Sequence, residues 1–165
     1  MVSRYARLVE EVHLSSEARD RLAAELETRS RARRSEISQW IERAREHGDI
    51  RENADYDAAK NEQGLNEARI RQLDALLRSA VVVESTESDV VQPGTVVELR
   101  MGDDEETTTY LVGSIEERHD AYDVLSLSSP LGKLIMGKSP GEQVDFAGPK
   151  RSFKVAIVSV SLRVD

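Results

Sequence analysis

The sequence predicts an α+β protein: a long antiparallel coiled-coil hairpin of two helices, followed by a small antiparallel β-sheet domain carrying one short helix. Three observations predict it. From Ser15 to His47 there is no proline or glycine, and the stretch is dominated by Ala, Glu and Arg, all good helix formers. A second helical run, from about Asn53 to Ala80, follows after only a few residues. Past Pro93 the apolar period changes from three and four to two, the signature of strands. The implied organisation is an N-terminal extension over 1–14, a hairpin over 15–80 with its tip at 47–53, a linker over 81–93 and a sheet domain over 94–165.

Ser15 suits an N-cap, with apolar Leu14 before it. Leu22, Leu26, Ile37, Trp40, Ile41 and Ala44 then recur at steps of three and four, interrupted at Ser30 and Arg33. On the second run Ala58, Leu65, Ala68, Leu73, Leu76 and Leu77 form a similar seam, with Glu67/Arg71 and Asp74/Arg78 at the favourable i, i+4 spacing. Two narrow stripes on consecutive helices bury each other as an antiparallel coiled coil. A helix of roughly 32 residues reaches about 48 Å, more than stability requires, so the pattern implies a finger that reaches into a partner. Gly48 fits the left-handed position that ends the first helix.

Val81-Val82-Val83 reads as a short strand at the head of the linker. Further strands are expected over 95–99, 108–112, 122–127 and 153–160, separated by Gly-Asp and charged turns, with one short helix over 131–136.

Composition removes several reaction classes. The 165 residues include no cysteine, so there is no disulfide scaffold, thiol nucleophile or zinc ribbon, and His13, His47 and His119 are too scattered for a metal cluster. No stretch approaches the roughly 18 apolar residues of a membrane span, and the N-terminus lacks the apolar run of a secretory signal; a cytoplasmic protein is expected. The net charge is −8, with residues 1–78 holding 15 Lys and Arg against 16 Asp and Glu. Overall acidity argues against free nucleic acid as the main partner. Arg29, Arg31, Arg33 and Arg34 nonetheless form a tight basic run, read either as a local basic face or as a solvated helix face.

The tip reads His47-Gly48-Asp49-Ile50-Arg51-Glu52-Asn53-Ala54-Asp55-Tyr56. Asp49 and Glu52 stand three apart where the second helix begins. A capping box accounts for that pair structurally, since both acids suit a positive helix end. The spacing equally lets both carboxylates share one cation. Two side chains are far short of the near-octahedral oxygen shell Mg²⁺ wants, so such a site would need completion by a partner.

A second motif, Gly132-Lys133-Leu134-Ile135-Met136-Gly137-Lys138-Ser139, satisfies the phosphate-loop pattern. Its context opposes a nucleotide site: Pro140-Gly141 stops any helix after Ser139, and Leu-Ile-Met suits a buried helical turn.

The stretch from Ala44 to Gly64, together with Ser129-Pro130-Leu131-Gly132, Gly137-Lys138 and Gly141-Glu142, resembles the bacterial Gre transcript-cleavage factors over essentially residues 15–162. The resemblance implies a hairpin that enters the secondary channel of RNA polymerase and a C-terminal domain of FK506-binding-protein-like fold that docks on the channel rim. It implies that Asp49 and Glu52 help hold a Mg²⁺ shared with polymerase and orient the water that hydrolyses backtracked RNA. The nuclease centre is then the polymerase's, and the chain an accessory factor, acting as a monomer, rather than an enzyme. Arg45 and Lys60 match basic positions associated with the RNA 3′ end, Gly48, Asn53 and Tyr56 match tip-shaping positions, and Ser129 and Pro130 match the loop facing polymerase. Asp57 stands where the family often has histidine and, with Asp55, makes the tip more acidic; a channel-blocking regulator without cleavage activity is the alternative. A coiled-coil adaptor that makes no contact with polymerase is a further one.

Overall fold

The structure, a computed structural model, describes residues 11–46, 54–84, 88–102, 105–117, 119–148 and 152–162. The chain divides into two compact units, Asp20–Ser79 and the described parts of Met1–Arg19 with Ala80–Asp165.

The first unit is a pair of helical arms. Helix α1 spans Ser16–Thr28, a π-helical turn spans Arg29–Arg33, and α2 continues over Arg34–Glu46; the second arm is α3, Ala54–Ser79. Contacts between arms run antiparallel. Glu25 meets Arg69, Arg29 meets Asn66, Arg33 meets Glu62 and Trp40 meets Asp55, so one index falls as the other rises. Leu22, Ile37, Ile41 and Ala44 are buried on the first arm, and Ala59, Asn66, Ile70 and Leu73 on the second. The second seam keeps the predicted Leu73, with Leu76 and Leu77 half-buried, but runs through Ala59, Asn66 and Ile70 where Ala58, Leu65 and Ala68 were expected. Leu65, expected inside, is 59% exposed, and Ala58 faces solvent beside buried Ala59.

The interruption at Ser30 and Arg33 coincides with the π-turn. A π-turn departs from the regular i→i−4 ladder, and side chains bond to main-chain carbonyls around this one. Here the Asn66 side chain, 1% exposed, donates to the Arg29 carbonyl at 3.1 Å, while Ser30 Oγ donates to the Leu26 carbonyl at 2.6 Å. A polar layer replaces the apolar seam for this one turn.

The second unit is built on a five-stranded sheet in the order β5-β4-β3-β7-β6, with β3 Thr95–Met101, β4 Thr107–Gly113, β5 Asp123–Ser126, β6 Gln143–Ala147 and β7 Ser152–Leu162. The sheet is mixed where the sequence predicted antiparallel pairing throughout: β4 and β5 run parallel, and the other neighbours antiparallel. Strand β6 was not anticipated; it pairs with β7 at the sheet edge. The core holds Val97, Leu99, Val112, Leu125, Leu127, Ile135, Val144, Val155 and Ile157. Short helix α4, Pro130–Ile135, contributes Ile135 to it.

A separate two-stranded parallel ribbon pairs β1, His13–Leu14, with β2, Val81–Val82. Both strands lie where the sequence placed the end of the N-terminal extension and the head of the linker. Leu14 and His13 are buried, at 0% and 2% exposure. Next to them Ser15 caps α1, its Oγ accepting from the Ala18 amide at 3.1 Å. Glu117 in turn accepts from the Ser15 amide at 2.6 Å and from its hydroxyl at 2.9 Å, with only 7% of its own surface exposed.

Candidate functional site: the hairpin end

Asp49, Glu52, Gly48 and Asn53 lie outside the described residues, so neither the capping-box nor the shared-cation reading of the two acids is decided by geometry. The residues on either side of them are described. Ile37, Ile41 and Ala59 form a small buried cluster between the arms, with Trp40 and Tyr56 packed against it. Trp40 Nε1 donates to Asp55 Oδ1 at 2.8 Å, across the two arms. The Arg45 guanidinium lies 5.7 Å from the centre of the Tyr56 ring, within the range of a cation–π contact. Arg45 and Tyr56, predicted as an RNA contact and a tip-shaping residue, thus meet. Lys60 points along its own helix and donates to Gln63 Oε1. Asp55, singled out in the sequence only as extra acidity, is a partner of Trp40.

Farther from the tip, the arginine run proves to be one side of an ion-pair ladder. Arg29 Nε lies 2.7 Å from Glu25, Arg31 3.1 Å from Glu27, and Arg33 2.7 Å from Glu62 and 3.0 Å from Glu36. Arg34 holds Glu67 with two parallel bonds of 2.7 and 2.8 Å. Each cation has a carboxylate, and Arg31 and Arg34 stay exposed, which favours the solvated helix face over the basic one. Those hydrogen bonds raise the pKa values of Arg33 and Arg34, and the Arg34 fork lowers that of Glu67. Glu25 is the extreme case. Hydrogen bonding from Arg69, opposed by burial and reinforced by Arg29, lowers its pKa to about 2.

In the sheet domain, Ser129 and Pro130 are the start of α4. Ser129 Oγ accepts from the Gly132 amide at 3.0 Å, and Pro130 occupies the first turn, where no amide donor is needed. The phosphate-loop-like run is structural: Gly132 to Ile135 lie within α4, Gly137 takes φ 75° after it, and Lys138 Nζ donates to Glu142 Oε1 at 2.9 Å. The Ser139 amide also donates to Glu142, at 2.7 Å, closing the turn where a nucleotide site would need open amides. Among the described residues no group of three or more His, Cys, Asp or Glu side chains is placed to hold a metal. No described helix is long and apolar enough to cross a membrane.

Two antiparallel helical arms and a mixed five-stranded sheet make this an α+β chain of two compact units, and sequence comparison places it among the transcription elongation factors. The family models named transcription elongation factor, N-terminal, and transcription elongation factor, GreA/GreB, C-terminal, match residues 12–82 and 85–162. The chain belongs to the GreA/GreB family of transcription elongation factors. It is 44% identical to transcription elongation factor GreA of Streptomyces coelicolor over 138 residues, 82% of this chain and 84% of that one. With GreA of Thermosipho africanus it shares 35% identity over 93% of this chain and 98% of the relative. Among solved structures, GreA factor homolog 1 of Thermus thermophilus is 30% identical, covering 91% of this chain and 98% of that one, with a TM-score of 0.42.

Proposed function

We propose that this factor inserts the end of its hairpin into the secondary channel of RNA polymerase and stimulates cleavage of backtracked RNA, supplying Asp49 and Glu52 to a Mg²⁺ site that polymerase completes. The observation that carries the reading is where the acid pair falls. Asp49 and Glu52 lie in the seven residues, 47–53, that join the ends of α2 and α3, and the arms that meet there are the family's N-terminal module. An α3 of 26 residues extends about 39 Å, a length suited to carrying side chains down a channel.

The donor set fits the ion. Two carboxylates are hard oxygen ligands of the kind Mg²⁺ prefers, and two leave most of its coordination shell for polymerase groups and water. When bound, the ion supplies charge neutralisation at the scissile phosphate and lowers the pKa of the attacking water. Asp49 and Glu52 orient that water by accepting its protons in hydrogen bonds. Water oxygen then bonds to phosphorus as the bond to the leaving 3′ oxygen breaks, and that oxygen takes up a proton. Arg45 and Lys60 contribute positive charge near the RNA 3′ end, and Ser129 and Pro130 contact the channel rim. The factor acts as a cytoplasmic monomer and has no nuclease centre of its own.

The test is RNA 3′-end cleavage in a purified, backtracked elongation complex with Mg²⁺, comparing the wild type with Asp49→Ala and Glu52→Ala. Cleavage should fall by 10²-fold or more in both variants while binding to polymerase persists, the scale expected when a catalytic centre loses a charged positioning group. Slowed initiation or elongation without any cleavage by the wild type would make the chain a channel-blocking regulator, and absence of polymerase binding would leave a coiled-coil adaptor.

A further inference from the structure

The tip acids act only if their roots are held still, and the structure contains a device at the roots. The cross-arm hydrogen bond between Trp40 Nε1 and Asp55 Oδ1, 2.8 Å long, joins α2 to the first turn of α3. Asp55 carries a negative charge, so this is a charge-assisted bond, stronger and more directional than one between neutral groups. The indole also packs on the Ile37, Ile41 and Ala59 cluster, which fixes the ring that presents the donor. One position farther along α3, Tyr56 packs on the same cluster and lies under the Arg45 guanidinium. The two contacts therefore tie residues just before the 47–53 connection to residues just after it.

We propose that Trp40 and Asp55 form an interhelical latch that sets the rotation of α3 about its own axis against α2, making Trp40 a positioning residue for the carboxylates of Asp49 and Glu52. The inference rests on the function proposed above.

Geometry explains why packing alone would not do this. The buried cluster at this end consists of two isoleucines and an alanine. Burial of so few apolar groups is non-directional and constrains rotation less than a directional bond does. For a side-chain atom some 6 Å from a helix axis, a 20° turn moves it by about 2 Å. A displacement on the order of 1 Å is enough to cost a catalytic group most of its effect. A hydrogen bond that weakens steeply with angle supplies the missing restraint. Asp55 serves better in this role than an acid deeper in the helix, because it sits in the first turn of α3, where a carboxylate also suits the positive end of the helix.

The experiment uses the full chain and takes advantage of its having no native cysteine. Spin labels at Glu42→Cys and Ala58→Cys, both exposed positions on opposite arms, report the inter-arm distance distribution in the wild type, Trp40→Phe, Asp55→Ala and Asp55→Asn. The same four chains without labels are then assayed for cleavage at saturating factor and for polymerase affinity. Phe keeps an aromatic ring but has no N–H, while Asn keeps an oxygen acceptor. The expected result is a broadened distribution and a three- to tenfold lower saturated cleavage rate in Trp40→Phe and Asp55→Ala, with affinity unchanged and Asp55→Asn, which keeps an acceptor but loses the charge, between them and the wild type. An unchanged distribution in Trp40→Phe and Asp55→Ala overturns the latch. Broadening with undiminished cleavage overturns the positioning role. In both of those cases the wild type still cleaves, whereas a wild type that stimulates no cleavage overturns the proposed function itself.

Discussion

The Asn66 carboxamide donates to the main-chain oxygen of Arg29 at 3.1 Å, tying one arm of the hairpin to the π-turn in the other. Arg29 returns the contact, its Nη1 reaching Asn66 Oδ1 at 3.4 Å. Asn66 is buried in the seam, so its polar atoms depend on these partners. Replacing it with leucine would satisfy the seam's apolarity but remove the side-chain bond to the Arg29 carbonyl. Asn66→Leu should destabilise the hairpin by about 1 kcal/mol, the loss of a buried hydrogen bond, read from urea unfolding followed by helicity. A leucine variant as stable as the wild type would show that the π-turn needs no partner.

Acid should loosen the same layer. The Glu25 pKa lies at about 2 in the folded chain against an ordinary 4.5, chiefly because Arg69 binds it at 3.1 Å through both carboxylate oxygens. A carboxyl group with a depressed folded pKa stabilises the fold at pH values above its unfolded pKa, and that stabilisation disappears as pH falls toward the folded pKa. The window is therefore pH 4.5 to 2. With allowance for solvent screening the contribution is on the order of 2 kcal/mol. Glu25→Gln should lower stability at pH 7 and flatten the loss between pH 4.5 and 2, measured as urea midpoints across that range.

Gly132 is predicted to tolerate no side chain. A Cβ there would lie 2.2 Å from the main-chain oxygen of Ser126, which is backbone and has little room to move. Ser126 belongs to β5 and Gly132 to α4, so the close approach sets how tightly the helix lies on the sheet. Gly132→Ala should destabilise the sheet domain by about 3 kcal/mol, as other forced overpacking does, lowering its melting temperature, while Lys133→Ala on the exposed side of the same turn should change it little.

Both modules were legible in the sequence because long amphipathic helices and alternating strands leave strong local periodicities. What escaped was set by partners distant in the chain. Counting apolar residues along α3 favoured Leu65 and Ala58, but the seam runs through Asn66 and Ala59, since a polar residue was needed opposite the π-turn. The arginine run looked basic until Glu62 and Glu67 were brought across from the other arm. Parallel pairing of β4 with β5 has no local signature, and the pattern Gln-Val-Asp-Phe-Ala of β6 offers just two inward candidates, Val144 and Phe146, the first buried and the second half-buried. Glu117 holds Ser15 from a hundred residues away, beyond the reach of any spacing rule. The tip acids were read from motif alone, and the support beneath them, Trp40 and Asp55, became visible only when the two arms were placed side by side.

The ribbon of β1 and β2 carries a consequence for the order in which the protein is made. Its bonds run from the Val81 amide to the Val12 carbonyl at 2.8 Å and from the Val83 amide to the Leu14 carbonyl at 2.9 Å. At a ribosomal rate of roughly 5–20 residues per second, Leu14 waits about 3–14 s before Val82 is synthesised. Throughout that interval a buried leucine and a buried histidine have no strand to lie against. The hairpin that emerges in between makes mostly short-range contacts and is suited to folding first. As its arms zip, the ends of the chain that form the ribbon are drawn together, and nascent-chain completion of the second unit becomes a matter of closing a short gap rather than searching across a long one.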